Sequence, residues 1–195
     1  MPLGAFKAAL MGTAGVSTGD VVLLHDTDYS NTASADITSG ITSTYGEYIF
    51  KFYNINPATD DEEFTFQVNA AGGSGFNETI TSTHFWAYNL EDDSTRGMNY
   101  NTAQDQAQGT AYQTLATQLG NGSDESLVGV IHLFSPASTT YVKHFYSRTN
   151  SYYSSPASTN QFTAGYINTT AAIDDVSFKM SSGNLDGVIQ MYGIA

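Results

Sequence analysis

No cysteine occurs in the 195 residues, which excludes disulfides and thiolate metal sites. A secreted domain of this length can fold without disulfides, so the absence leaves location open. Positive charge is also scarce: Lys and Arg number 6 against 19 Asp and Glu, a formal net charge of −13. Nucleic acid is bound by clustered Lys and Arg that displace counterions from phosphate, and anionic lipid attracts the same residues. Six basic residues scattered along the chain form no patch for either. The expected partners are neutral, such as a glycan, or proteins with a basic face. No stretch approaches the roughly 18 consecutive apolar residues of a membrane span. The opening, Met1 to Met11, is mildly apolar but has no basic n-region, and makes a poor signal peptide.

Charge of either sign is sparse: 13% of residues are charged, against about 25% in an average soluble protein. Ser, Thr, Asn, Gln and Gly carry solubility instead, with 13 Tyr and 11 Phe. Aromatic and β-branched side chains pack well on a pleated surface, so the composition suits sheets and poorly suits long helices. A chain this long buries roughly 70% of its unfolded surface, enough for one well-filled core, and a single domain is expected.

Short alternating segments separated by turn-rich stretches run along the chain, the pattern of a sandwich or barrel. In Tyr48–Asn54, residues Tyr48, Phe50 and Phe52 share one face by the two-residue period; Asn56-Pro57 ends that run, because proline removes a ladder donor. In Glu63–Asn69, Phe64, Phe66 and Val68 point inward, and the glycine-rich loop 70–75 follows. Further strands are expected at 21–24, 84–88, 127–134, 141–147, 161–167, 173–180 and 187–192. Apolar residues on both faces of 127–134 (Val128, Val130, His132 and Phe134 on one, Leu127, Ile131 and Leu133 on the other) predict a central strand covered on each side. Turn residues Ser181-Ser182-Gly183-Asn184 between two apolar strands predict a β-hairpin over 173–192. Between Ala103 and Leu119, Ala107, Ala111, Leu115 and Ala116 recur at near-helical spacing. One short helix and an irregular crossover loop are both open there; Gly109 weakens the helix by about 1 kcal/mol relative to Ala. The expected fold is therefore all-β, an antiparallel jelly-roll-like sandwich of about eight or nine strands over residues 20–195, with at most one short helix. Residues 1–19 lack periodicity and read as an N-terminal arm. Its Leu3, Phe6, Leu10 and Met11 are costly to leave in water, so they are candidate assembly anchors, with a disordered or self-packed terminus as the alternative.

Motifs that carry chemistry are few. Gly15-Val16-Ser17-Thr18-Gly19 matches a hydrolase nucleophile elbow, but that motif needs a strand before and a helix after it. The four histidines, His25, His84, His132 and His144, lack the close pair typical of a catalytic zinc site; His132 and His144 meet only if their strands pair. His25-Asp26-Thr27-Asp28 starts like a calcium loop, but Asn31 and Ile37 stand where an EF-hand needs glycine and glutamate. Acidic clusters at 60–63, 91–93, 124–125 and 174–175 read as solvated turns; a loop calcium ion is the main alternative, and a carboxylate pair for glycoside hydrolysis, drawing on Asp61 and Asp93, the lesser one. Trp86, with Phe85 and Tyr88 nearby, is the sole tryptophan. A strand position favours core packing; stacking of Trp86 and Tyr88 on a sugar is the alternative. No catalytic residue, metal ligand or cofactor site is expected.

The stretch Asn121-Gly122-Ser123-Asp124-Glu125-Ser126-Leu127 through Phe134-Ser135-Pro136-Ala137-Ser138 resembles a segment of tailed-bacteriophage virion proteins, in which a turn "GN…ES.SG" leads into a strand ending "NPSS". The final stretch from Ile173 through Ser181-Ser182-Gly183-Asn184 to Tyr192-Gly193-Ile194 is similar to their ending "I..I.F…SGN…G.I.LYGI". Residues 50–60 and 66–73 also look like their first half, so the similarity runs from about Tyr45 to Ile194. The resemblance implies a jelly-roll-like domain on the virion surface, used as a capsid decoration subunit or as a module of a tail fibre, and supplies no catalytic or binding residues. A short arm with no room for a shaft favours decoration. Expected partners are other virion proteins, the major capsid protein or a tail component, and further copies of the chain, as a trimer. A host surface glycan belongs to the fibre alternative.

Overall fold

The computed structural model describes residues 21–195, and among them there are thirteen strands and no helix. Numbered in chain order, β1 (Val21–Thr32), β3 (Glu47–Pro57), β5 (Ile80–Leu90), β6 (Arg96–Tyr100), β7 (Ala107–Gly109), β9 (Leu127–Phe134), β10 (Lys143–Tyr152), β11 (Ala157–Ile167) and β13 (Leu185–Ile194) form one nine-stranded sheet. Its order is β1-β13-β3-β9-β10-β11-β5-β6, with β7 also paired to β5. The second sheet has four strands, β2 (Ala35–Ile37), β12 (Ile173–Met180), β4 (Glu62–Ala70) and β8 (Gln113–Leu119), in the order β2-β12-β4-β8. Every pairing is antiparallel. The all-β sandwich expected from the sequence is the fold. The proposed anchors Leu3, Phe6, Leu10 and Met11 lie outside the described residues, as does the serine motif at 15–19.

Aromatic alternation builds the centre. Tyr48, Phe50 and Phe52 on β3 and Phe64, Phe66 and Val68 on β4 are all buried to within 1%, as the two-residue period requires. Phe178 of β12 sits among Phe50, Phe52, Phe64 and Phe66 at centroid distances of 5.4, 5.1, 5.9 and 6.4 Å. Each such ring contributes about 1.5–3 kcal/mol by burial alone.

Three expectations are corrected. Residues 103–119 form neither a helix nor an irregular crossover: 113–119 are strand β8, paired to β4. The alanines that suggested a helix are small enough for either state. Leu115, Thr117 and Leu119 are buried, and positive φ at Gln108 (56°) and Gln118 (57°) breaks helical continuity. The 173–192 pair is not a hairpin. β12 and β13 belong to different sheets, and residues 181–184 arch across the edge of the sandwich. There Ser181 N–H donates to the Glu63 carbonyl at 2.9 Å, while Gly183, at φ 74°, lies against Thr59 where a Cβ would come within 2.5 Å of its Oγ1. Both strands have an apolar face because they enclose the same core from opposite sides. Finally, β9 is central in its sheet but covered on one face only: Leu127, Ile131 and Leu133 are buried, whereas Val128 is 44% exposed.

Candidate functional site

The small sheet does not cover the whole large one. Its edge strand β8 lies over β10 and β11: Thr149 Oγ1 donates to the Leu115 carbonyl (3.0 Å), Thr163 Oγ1 to the Thr114 carbonyl (3.2 Å), and Thr117 N–H to Gln161 Oε1 (2.9 Å). On β5 the inward row begins buried, at Ile80, Ser82 and His84, and then becomes half-buried at Trp86, Tyr88 and Leu90. The cover has ended. Three residues with the sequence pattern of a core row therefore open onto solvent, and the expectation of core packing for Trp86 is corrected.

A cleft of about 350 Å³ results, lined by Trp86, Tyr88, Asn99, Tyr153, Ser155 and Thr159 among others. The Trp86 and Tyr88 rings are 5.1 Å apart at 29°, and the Trp86 and Tyr153 rings 6.2 Å apart at 29°. Strand register explains the first pair, because i and i+2 share a face. Across the ladder Trp86 stands between Gln161 and Asn99, and Tyr88 between Thr159 and Gly97. Gly97 leaves room for the tyrosine: a Cβ there would stand 3.2 Å from Tyr88 Cε1. The third ring comes from the loop between β10 and β11. Tyr153 is bridged to Leu119, and Ser154 N–H donates to the Gln118 carbonyl at 2.9 Å, so the loop is tied to β8. Burial, then the Asp61 carboxylate, pushes the Tyr153 phenol above its ordinary range, and it is neutral at physiological pH. Trp86 and Tyr88 were legible as a candidate pair; Tyr153, Asn99 and Gly97 were not, since nothing in their spacing links residues 86 and 153.

Leu90 also borders a second notch of about 400 Å³ that includes Glu91, Asp124, Asn150, Tyr152 and Ser158. Two of the four acidic clusters thus meet, whereas Asp61 and Asp93 do not share this notch. Partial burial and then Glu91 push the Tyr152 phenol upward.

The histidines are dispersed. His132 pairs across the ladder with Tyr146, not with His144, and its Nδ1 contacts Glu47 at 2.5 Å. His144 stands opposite Tyr166. His25 lies within β1 beside Tyr29, its Nε2 3.1 Å from the phenol oxygen, so the stretch His25–Asp28 is strand and not loop. His84 is fully buried, and its Nδ1 lies 3.0 Å from Thr163 Oγ1. The Thr163 hydroxyl already donates to Thr114, so His84 Nδ1–H is the donor; burial lowers its pKa. Among the described residues no three metal-ligating side chains converge.

The geometry defines a two-sheet β-sandwich with an aromatic cleft at its open edge. No family model, curated protein or solved structure matches the chain.

Proposed function

We propose that this chain is a non-enzymatic structural subunit on the outer surface of a tailed-bacteriophage particle, a capsid decoration subunit that covers the shell. The observation that carries the reading is the outer face of the nine-stranded sheet. Val21, Leu23, Tyr53, Phe85, Met98, Tyr100, Val128 and Tyr146 are 38–73% exposed and lie on strands of that one sheet. A direct cross-strand row runs Tyr100–Phe85–Phe162–Arg148, with Phe85 and Phe162 stacked at 4.8 Å and the Arg148 guanidinium 5.4 Å from the Phe162 ring. Scattered exposed apolar residues need no explanation, but the Tyr100–Phe85–Phe162 row is a local apolar patch of the kind that marks an interaction surface. Neighbouring virion proteins, including further copies of the chain, are its partners. The stretches that resemble phage virion proteins map onto β3, β4, β9, β12 and β13 of the sandwich.

Gold-labelled antibody against the chain, applied to gradient-purified particles of the encoding phage, is expected to decorate the head. Absence of the chain from particles overturns the proposal. Label confined to the tail favours the second reading, a fibre or receptor-binding module, which the aromatic cleft supports. Phe85→Asp combined with Tyr146→Asp, both on the solvent side of the sheet, is expected to abolish incorporation while far-ultraviolet dichroism stays unchanged.

A further inference from the structure

We infer that the cleft of Trp86, Tyr88 and Tyr153 is a binding site for an uncharged saccharide. The inference concerns the cleft alone and holds whether the chain sits on head or tail.

The chemistry of the walls selects the ligand. Trp86 stacks with Tyr88 at 5.1 Å and with Tyr153 at 6.2 Å, each at 29°, and all three rings line the cleft. An aromatic face carries the negative side of the ring quadrupole. It therefore attracts the weakly positive C–H groups on one side of a pyranose ring, and burying that apolar side is favourable. A hydrocarbon satisfies these walls too, but it makes no use of the polar groups at the rim, the exposed Asn99 amide and Ser155 hydroxyl. The Thr159 hydroxyl is already shared with Ser151 and Gln161, which holds it in place behind Tyr88. A saccharide has one C–H face and hydroxyls around its rim, and matches both features. At about 350 Å³ the cleft lies at the small end of ligand pockets, roughly 300–1,000 Å³, the scale of one or two sugar rings.

Charge decides which saccharides. Ser154, next to Tyr153, donates to Asp61 Oδ1 at 3.2 Å, Glu91 follows Leu90 in sequence, and no Lys or Arg lines the cleft. An acidic sugar would bring its carboxylate beside these groups with no cation to offset the repulsion, so uronates and sialosides are excluded and neutral or N-acetylated hexoses are admitted. The cleft is also not a copy of the features that resemble virion proteins. Positions 86, 88 and 153 lie within the span of about Tyr45 to Ile194 but outside its motif segments at 50–60, 66–73, 121–138 and 173–194.

Trp86 is the only tryptophan, so its emission reports this cleft directly. The intact chain is titrated with a panel of neutral oligosaccharides built from glucose, galactose, mannose and N-acetylglucosamine, and with sialylated and uronate-bearing counterparts. The expected result is a saturable change in emission with at least one neutral glycan, and none with the acidic counterparts. Tyr153→Ala and Tyr88→Ala are each expected to weaken that binding at least about tenfold, equivalent to about 1.4 kcal/mol, with far-ultraviolet dichroism and thermal midpoint nearly unchanged. Gly97→Val, which displaces the Tyr88 ring without touching the ligand, is expected to weaken it as well. No saturable response to any neutral glycan at about 10 mM, well above a millimolar dissociation constant, overturns the inference, as does binding that survives both tyrosine substitutions.

Discussion

Between β3 and β12 the two sheets meet through phenylalanine; between β8 and the pair β10–β11 they meet through serine, threonine and glutamine. In the first region Phe50, Phe52, Phe64, Phe66 and Phe178 exclude water by mass of apolar surface, and their ring geometries are tilted or edge-on for the most part. In the second, Ser147, Thr149, Ser151, Thr159, Gln161 and Thr163 are equally buried, and most of their polar atoms are paired. Gln161 is the hinge of that network: its Oε1 accepts from Thr117 N–H and its Nε2 donates to the Thr117 carbonyl at 3.3 Å. Apolar contact is non-directional and continues wherever surface exists. A hydrogen-bonded layer holds only where partners face one another. The cleft opens beyond the second region, where β8 no longer supplies those partners to β5.

The largest break in that comparison is expected from Phe178→Ala, which removes the ring common to four aromatic contacts. A loss of about 3–5 kcal/mol, measured by denaturant unfolding, would place the main stability in the phenylalanine region; a loss under about 1 kcal/mol would not. Gln161→Leu should cost less, about 1–3 kcal/mol, because the buried Thr117 N–H is left without its acceptor. Thr149→Val keeps the shape and removes only the bond to the Leu115 carbonyl, an expected cost of about 0.5–1.5 kcal/mol. The smallest effect is confined to a pH window. Burial holds the folded His84 pKa below 6.5, so as pH falls below about 6.5 the unfolded chain takes up the proton first. The stability His84 contributes is present above that pH and is lost on acidification. Thermal midpoints of wild type and His84→Gln should therefore converge between neutral pH and about pH 5.

Much of the sandwich was legible. Tyr48-Phe50-Phe52 and Phe64-Phe66-Val68 state their inward faces by alternation, and Asn56-Pro57 marks the end of β3. β8 was hidden because Leu115 and Ala116, with Ala107 and Ala111 before them, fit a helical period, although 113–119 are a strand buried on both faces. The hairpin expectation at 173–192 failed for a related reason: Ser-Ser-Gly-Asn announces a turn but not whether the chain returns to its own sheet or crosses to the other. Of the cleft, only Trp86 and Tyr88 could be proposed, from their shared face.

Local spacing alone determined the all-β class, the acidic and cation-poor surface, and the side of each strand that carries apolar residues, because each follows from composition or from the two-residue period of an extended chain. Only the tertiary structure decided which inward rows are covered. The same alternation that buries Phe50 under β12 leaves Trp86 at an open edge, since cover depends on the width of the opposing sheet, a property of strand pairing between residues far apart in the chain.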